Sequence, residues 1–156
     1  MIVVGIDPGL ATVGFGVIET YENSIIPLSY GCIRTSGDKR TPQRLLEIYT
    51  EINELLEKYA PDNIAVEKLF FTRNVTSAMG VSEARGVIFL AAQQRHIPLF
   101  EYTPAQVKQA ITGSGRADKR QMQEMIRNLL KLDDIPKPDD AADGLSIALC
   151  HINWQK

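Results

Sequence analysis

The chain has 156 residues, 44% of them hydrophobic and 23% charged, which suits a globular protein with a substantial core. Its 17 basic and 19 acidic residues leave a formal charge of −2, so the total alone does not point to a nucleic-acid partner. Cys32 and Cys150 are too few for a disulfide framework and fall in no metal-ligand spacing, which favours a reducing cytoplasm, and the longest apolar stretch, VIFLAA at 87–92, is too short to span a bilayer.

No signal peptide is expected, because the first residues already read as a strand. Ile2 to Ile6 is apolar on both faces, as in a central strand, and runs into Asp7 just before Pro8-Gly9. A buried carboxylate is costly unless it meets a cation or hydrogen-bond donors. Asp before Pro-Gly is also ordinary turn chemistry, so two readings of Asp7 stand at this point. VGFGVIE (13–19) and IIPLSYGCIRT (25–35) follow as strands joined by short connections, which predicts an antiparallel meander. Thr41-Pro42 opens a helix with Leu45, Tyr49, Ile52, Leu56 and Tyr59 at helical spacing. IAVEK (64–68) is a fourth strand, again apolar until it meets a carboxylate, Glu67. A helix between strands returns the chain in parallel beside the first strand. Asp7 and Glu67 are then expected at the same end of adjacent strands, which lie ~4.8 Å apart.

Residues 75–95 read as a long helix rich in small residues, and PLFEY (98–102) as a fifth strand. Thr103-Pro104 supplies an N-cap and first-turn proline for a helix to about Ile111. GSGRAD (113–118) is a flexible loop, 119–132 an amphipathic helix, and DDIPKP (133–138) a breaker before a last helix that starts DDAADGLSIALCHI. The expected fold is α/β: a single domain over 1–156, with a five-stranded mixed sheet of three antiparallel strands plus parallel additions, flanked by helices.

Ligands gather at the carboxyl ends of parallel strands near a switch point, where Asp7 and Glu67 are expected. On the last helix Asp140 and Asp143 are three residues apart, with Cβ atoms about 5–6 Å from each other. Asp139 and Asp143, four apart, share a face equally well, and spacing does not choose between them. Acids in a helix's first turn also complement its dipole without any further role. Strand-end carboxylates with an acid pair on one helix form an all-oxygen set for a hard cation. Two Mg²⁺ ions about 3.5–4 Å apart activate water and stabilise the leaving oxygen in phosphodiester hydrolysis.

The segments GIDPGLATVGFGVIE, AVEKLFF, EYTPAQVKQAITGSGRADK and DDAADGLSIALCH, in this order from residue 2 to about 152, resemble the RuvC family of crossover junction endodeoxyribonucleases, the Holliday junction resolvases. The resemblance implies a ribonuclease H-like fold, a homodimer, and Mg²⁺-dependent nicking of two opposed strands of a four-way DNA junction during recombination and repair. It implies two ions per subunit, with Mn²⁺ able to substitute, and a branch-migration helicase complex of the RuvA and RuvB type as partner. It places the catalytic, metal-holding acids on Asp7, Glu67, Asp140 and Asp143, choosing Asp140 over Asp139. It also puts a junction-stacking aromatic on Phe70 and functional lysines on Lys108 and Lys119.

The same residues carry a plainer account. Setting four acids aside as ligands leaves 17 basic against 15 acidic residues, a formal +2. Arg73, Arg85, Lys108, Arg116, Lys119 and Arg120 lie in or near segments flanking the acids, although scattered charge usually marks a solvated surface. Of these, Arg73 and Arg116 are DNA-contact candidates beside the two lysines. Lys119 opens a helix, where a cation opposes the dipole, and so suggests a phosphate or transition-state contact. Phe70 is a candidate wedge against unstacked bases, and Phe71 reads as core. His96 and His151 read as surface or structural residues. The 75–95 helix is apolar all round, so one face can cover the sheet while another meets its twin in a two-fold dimer. The rivals are a non-catalytic junction-binding scaffold, against which the complete acid set argues, and a nuclease of the same fold acting on RNA or simple duplex. An actin-like ATPase would need a second domain for which there is no room.

Overall fold

A computed structural model describes residues 1–22, 24–69 and 75–155. Strands β1 (Ile2–Asp7), β2 (Thr12–Tyr21), β3 (Ser24–Arg34), β4 (Asn63–Glu67) and β5 (Leu99–Tyr102) form one sheet in the order β3-β2-β1-β4-β5. β1 pairs antiparallel with β2, from Ile2 opposite Glu19 to Asp7 opposite Gly14, and β2 pairs antiparallel with β3 through a bulge at Val17/Ile18. On its other side β1 runs parallel to β4, which runs parallel to β5. The expected meander with parallel additions is therefore the observed topology, and β1 lies at its centre.

Period-2 alternation divides the strand residues between two cores. Val4, Ile6, Val13, Val17, Ile64 and Val66 pack under α1 (Thr41–Tyr59) and α2 (Val75–Gln94). Val3, Ile18, Ala65 and Tyr102 pack under α3 (Pro104–Thr112), α4 (Lys119–Leu129) and α5 (Asp139–Trp154). In α1 the buried line is Ile48, Ile52 and Leu56, and the helix ends where Ala60 turns left-handed at φ 42°. α3 begins at a reciprocal cap: Thr103 Oγ1 accepts from the Gln106 N–H at 3.1 Å, and the Gln106 side chain accepts from the Thr103 N–H at 2.8 Å. α4 stops at Leu129 rather than continuing to 132. Lys131 turns to φ 52° and the Leu132 N–H returns to the Arg127 carbonyl at 2.9 Å, a local closure that hydrophobic periodicity does not register.

By length and composition α2 is apolar enough to cross a membrane. Here Ala84, Ile88, Ala91 and Ala92 are buried in the core against α1 and the sheet, while Val75, Met79 and Leu90 stay exposed.

Candidate active site

Asp7 closes β1 and Glu67 closes β4, and the register that pairs Ile6 with Val66 brings the two acids side by side. Ile6 and Val66 point into the α1/α2 core, so one residue further on both carboxylates point to the opposite face, toward α5. There the helix lies unusually close to the sheet. A Cβ on Gly14 would run into the carbonyl of Asp140, one on Gly16 into the backbone of Leu145, and one on Gly5 into the carbonyl of Gly144 and into Ala148. A Cβ on Gly144 would in turn strike the backbone of Phe15. Four missing side chains thus let helix backbone rest directly on strand backbone. The first turns of α5 are carried down to the sheet end, and Asp7, Asp140 and Asp143 each offer a carboxylate oxygen within 4.8 Å of the others. Glu67 flanks the trio, close enough for its charge to act on Asp7 and for that of Asp143 to act on it.

This crowding shapes the electrostatics. Burial, then the charges of Glu67, Asp143 and Asp140, push the Asp7 carboxyl up to about 8. Burial and Asp143 push Glu67 up to about 7, against a downward pull from Lys108. Burial also raises Asp143, partly offset by Lys119. Every influence on Asp7 from the described residues is upward: no cation among them compensates it. An all-carboxylate donor set, closely spaced and only partly offset by Lys108 and Lys119, fits a hard divalent cation.

Asp139, which spacing could not separate from Asp140, faces elsewhere. Its carboxylate meets Lys119 Nζ at 2.7 Å and accepts from Gln123 Nε2 at 3.0 Å, and the lysine holds it below the usual carboxylate range. The same contact raises Lys119 and explains how a cation is tolerated at the start of α4, where the helix dipole disfavours it. Lys108, on α3, is partly buried on the Glu67 side and makes no ion pair among the described residues. Arg116 is exposed in the loop before α4. Phe70 and Arg73, like Phe71, lie outside the described residues.

Two other cations grouped with the site by sequence are committed to structural contacts. Arg85 donates to the carbonyl of Glu67, pairs with Glu101 and lies 4.9 Å from the centre of the Phe89 ring, so it secures the backbone that carries Glu67. Arg120, almost wholly exposed, pairs with Glu124 on its own helix. His151 is buried, with Nδ1 2.8 Å from the Tyr102 hydroxyl. What sequence reasoning missed is the role of Gly14, Gly16 and Gly144 in seating α5. Its signal was present: glycine at alternate positions of an apolar strand marks a close backbone approach.

The family model described as "Crossover junction endodeoxyribonuclease RuvC" matches residues 3–151. A crossover junction endodeoxyribonuclease RuvC from Desulfitobacterium hafniense is 53% identical over 151 residues, covering 97% of this chain and 92% of the relative. Among solved structures, Thermus thermophilus RuvC in complex with a Holliday junction substrate superposes with a TM-score of 0.95 at 35% identity, covering 99% of this chain and 94% of that one. The yeast mitochondrial Holliday junction resolvase shares the fold, with a TM-score of 0.71 at 18% identity, covering 98% of this chain and 78% of that one.

Proposed function

This chain belongs to the RuvC family of crossover junction endodeoxyribonucleases, and from that premise we propose that it resolves four-way DNA junctions by metal-assisted phosphodiester hydrolysis, nicking two opposed strands as a homodimer. The observation that carries the reading is the set of carboxylate oxygens of Asp7, Asp140 and Asp143 within 4.8 Å of one another, with Glu67 beside them, at the carboxyl end of two parallel strands. These four acids are the metal ligands. Mg²⁺, two ions per subunit with Mn²⁺ able to substitute, supplies Lewis acidity toward the phosphoryl group and lowers the pKa of the attacking water.

The chain's own groups do the rest. Asp7 and Glu67, fixed by the sheet, and Asp140 and Asp143, fixed by α5, define where the scissile phosphate lies. Lys119, held at the rim by Asp139, neutralises charge developing on that phosphate, and Lys108 contacts the strand on the Glu67 side. Arg73 and Arg116 contact phosphates further along the arms, and Phe70 stacks at the opened crossover. Binding draws mainly on such phosphate contacts and is therefore separable from cleavage.

The exposed face of α2 supports the dimer. Val75, Met79 and Leu90 are 68%, 59% and 53% exposed, and a Cβ added at Gly86 would meet nothing within 4 Å. Glycine inside a helix costs about 1 kcal/mol relative to alanine. Nothing among the described residues requires it there, whereas a second helix in close approach would. A two-fold pair matches a substrate with two equivalent cleavage points. The single domain then works in the cytoplasm, with a branch-migration complex of the RuvA and RuvB type delivering the junction.

The test is nicking of a synthetic four-way junction beside a linear duplex of the same sequence, with and without Mg²⁺. Paired nicks on opposed strands of the junction alone, only with metal, are expected. Equal cutting of the duplex, or cutting without a divalent ion, would overturn the proposal.

A further inference from the structure

Beside the acids, α3, α4 and α5 enclose a cavity of about 240 Å³ whose mouth is shared with the site, since Glu67, Asp143 and Lys119 line both. Its floor is apolar, formed by Val107, Ala142 and Ile147, with Met122 and Pro104 at the sides. Lys108 and Lys119 stand at the rim. The lining also includes Ser146, whose Oγ donates to the Ala142 carbonyl at 2.8 Å, and Gln123, whose amide nitrogen donates to Asp139, which leaves the hydroxyl oxygen and the amide carbonyl as the two acceptors of these side chains.

Resting on the assignment of the acids to phosphodiester cleavage, we infer that this cavity receives the nucleoside flanking the scissile phosphate, turned out of the base stack. A phosphate at the acids leaves its neighbouring sugar and base directly over the opening. An apolar floor suits the face of a base, the two acceptors suit its edge, and the rim lysines suit the phosphates on either side. The volume lies below the roughly 300–1,000 Å³ of pockets for drug-sized ligands, which fits one nucleoside and not two. Turning a nucleotide out of a duplex costs a few kcal/mol, and least where stacking is already broken, as at a crossover. The cavity therefore makes cleavage depend on distortion of the strand: a regular duplex bears the whole cost, a junction little of it.

The experiment places 2-aminopurine, whose fluorescence is quenched by stacking, on each side of the nicked phosphate in turn, and adds wild-type protein with Ca²⁺ in place of Mg²⁺. A several-fold rise at one of the two positions is expected, and quenching retained at both overturns the inference. Met122→Trp fills the cavity without replacing an acid or a lysine. It should lower the nicking rate at least tenfold with the Kd for the junction unchanged, and an abasic site at the responsive position should restore the rate. A Met122→Trp protein that nicks intact junctions at the wild-type rate, or that an abasic site fails to rescue, also overturns it. Asp7→Asn run in parallel separates the two levels. If Asp7→Asn still nicks, the assignment of the acids falls and the inference with it; if it is inactive while both probes stay quenched, only the cavity inference falls.

Discussion

On the face covered by α1 and α2, the sheet is packed through branched aliphatic side chains: Val4, Ile6, Val17 and Val66 against Ile48, Ile52, Leu56 and Ile88. On the other face, α5 rests on Gly5, Gly14 and Gly16 with Gly144 turned toward them, backbone against backbone. Both faces are buried, so burial does not distinguish them. Distance does. The aliphatic face keeps its helices a side chain away, as stability requires, while the glycine face brings two helical carboxylates into the radius of a strand-end carboxylate. Close approach is what turns a helix-covered sheet into a candidate metal site.

If that contrast is sound, the largest effect lies with charge on the glycine face. Asp7→Asn and Asp140→Asn should each reduce junction nicking by about a thousandfold or more in Mg²⁺, with junction affinity by gel shift within a few-fold of wild type. If Asp7 merely caps its turn, asparagine serves nearly as well, and near wild-type nicking would end the metal-ligand reading.

Next comes the electrostatic burden of the cluster in metal-free protein. Asp7 titrates at about 8 and Glu67 at about 7 in the fold, against ordinary values of 3.8 and 4.5. Between those limits the folded state holds protons that the unfolded chain has released, so the contribution of these two groups to stability is greatest below about pH 4, falls as pH rises, and levels off above about 8. Each tenfold difference in proton affinity between folded and unfolded chain is worth about 1.4 kcal/mol, so a loss of a few kcal/mol is expected across that window. Thermal melts in EDTA should show Tm falling from pH 5 to pH 8, with the slope reduced in Asp7→Asn. A Tm that rises over this range would contradict the described environment.

Substitutions that change only volume then compare the two faces directly. Gly16→Ala forces α5 away from β2 and should cost about 1–3 kcal/mol in urea unfolding while also lowering Mg²⁺-dependent nicking. Ile52→Val on the aliphatic face should cost about 0.5–1.5 kcal/mol and leave nicking unchanged. Equal loss of nicking in both would mean that close approach has no special part in the site. The smallest effect is expected from Asp139→Asn. Its partner Lys119 is 61% exposed, and such surface pairs contribute about 0–1 kcal/mol, so nicking within about threefold of wild type is expected. A loss as deep as that of Asp140→Asn would make Asp139 part of the cluster after all.

The sequence makes the sheet order, both strand-end acids and the starts of α3 and α5 legible because each rests on local signals: apolar runs broken by a carboxylate, a Thr-Pro cap, a breaker. The choice between Asp139 and Asp140 was not legible from spacing, since i+3 and i+4 both share a helical face with Asp143. It is decided by the phase at which α5 meets the sheet, and that phase is set by Gly144 together with Gly5, Gly14 and Gly16, which are remote from it in sequence. The early end of α4 and the commitment of Arg85 to Glu67 and Glu101 escaped for a related reason: both depend on hydrogen-bond partners that composition does not reveal.

The two halves of the acid cluster also differ in how the backbone holds them. Asp7 ends the central strand, bonded on one side to β2 and on the other to β4, so its amide neighbours should exchange with solvent only on global unfolding. Asp140 belongs to the first turn of a helix whose N-cap, Pro138, contributes no side-chain hydrogen bond, so the amides there have low intrinsic protection. A cation bridging the two would tie the uncapped first-turn amides of α5 to the most slowly exchanging strand. Its binding should appear in hydrogen exchange as protection of residues 139–143 with residues 3–6 unchanged, so that exchange would report the cation on one half of the cluster only.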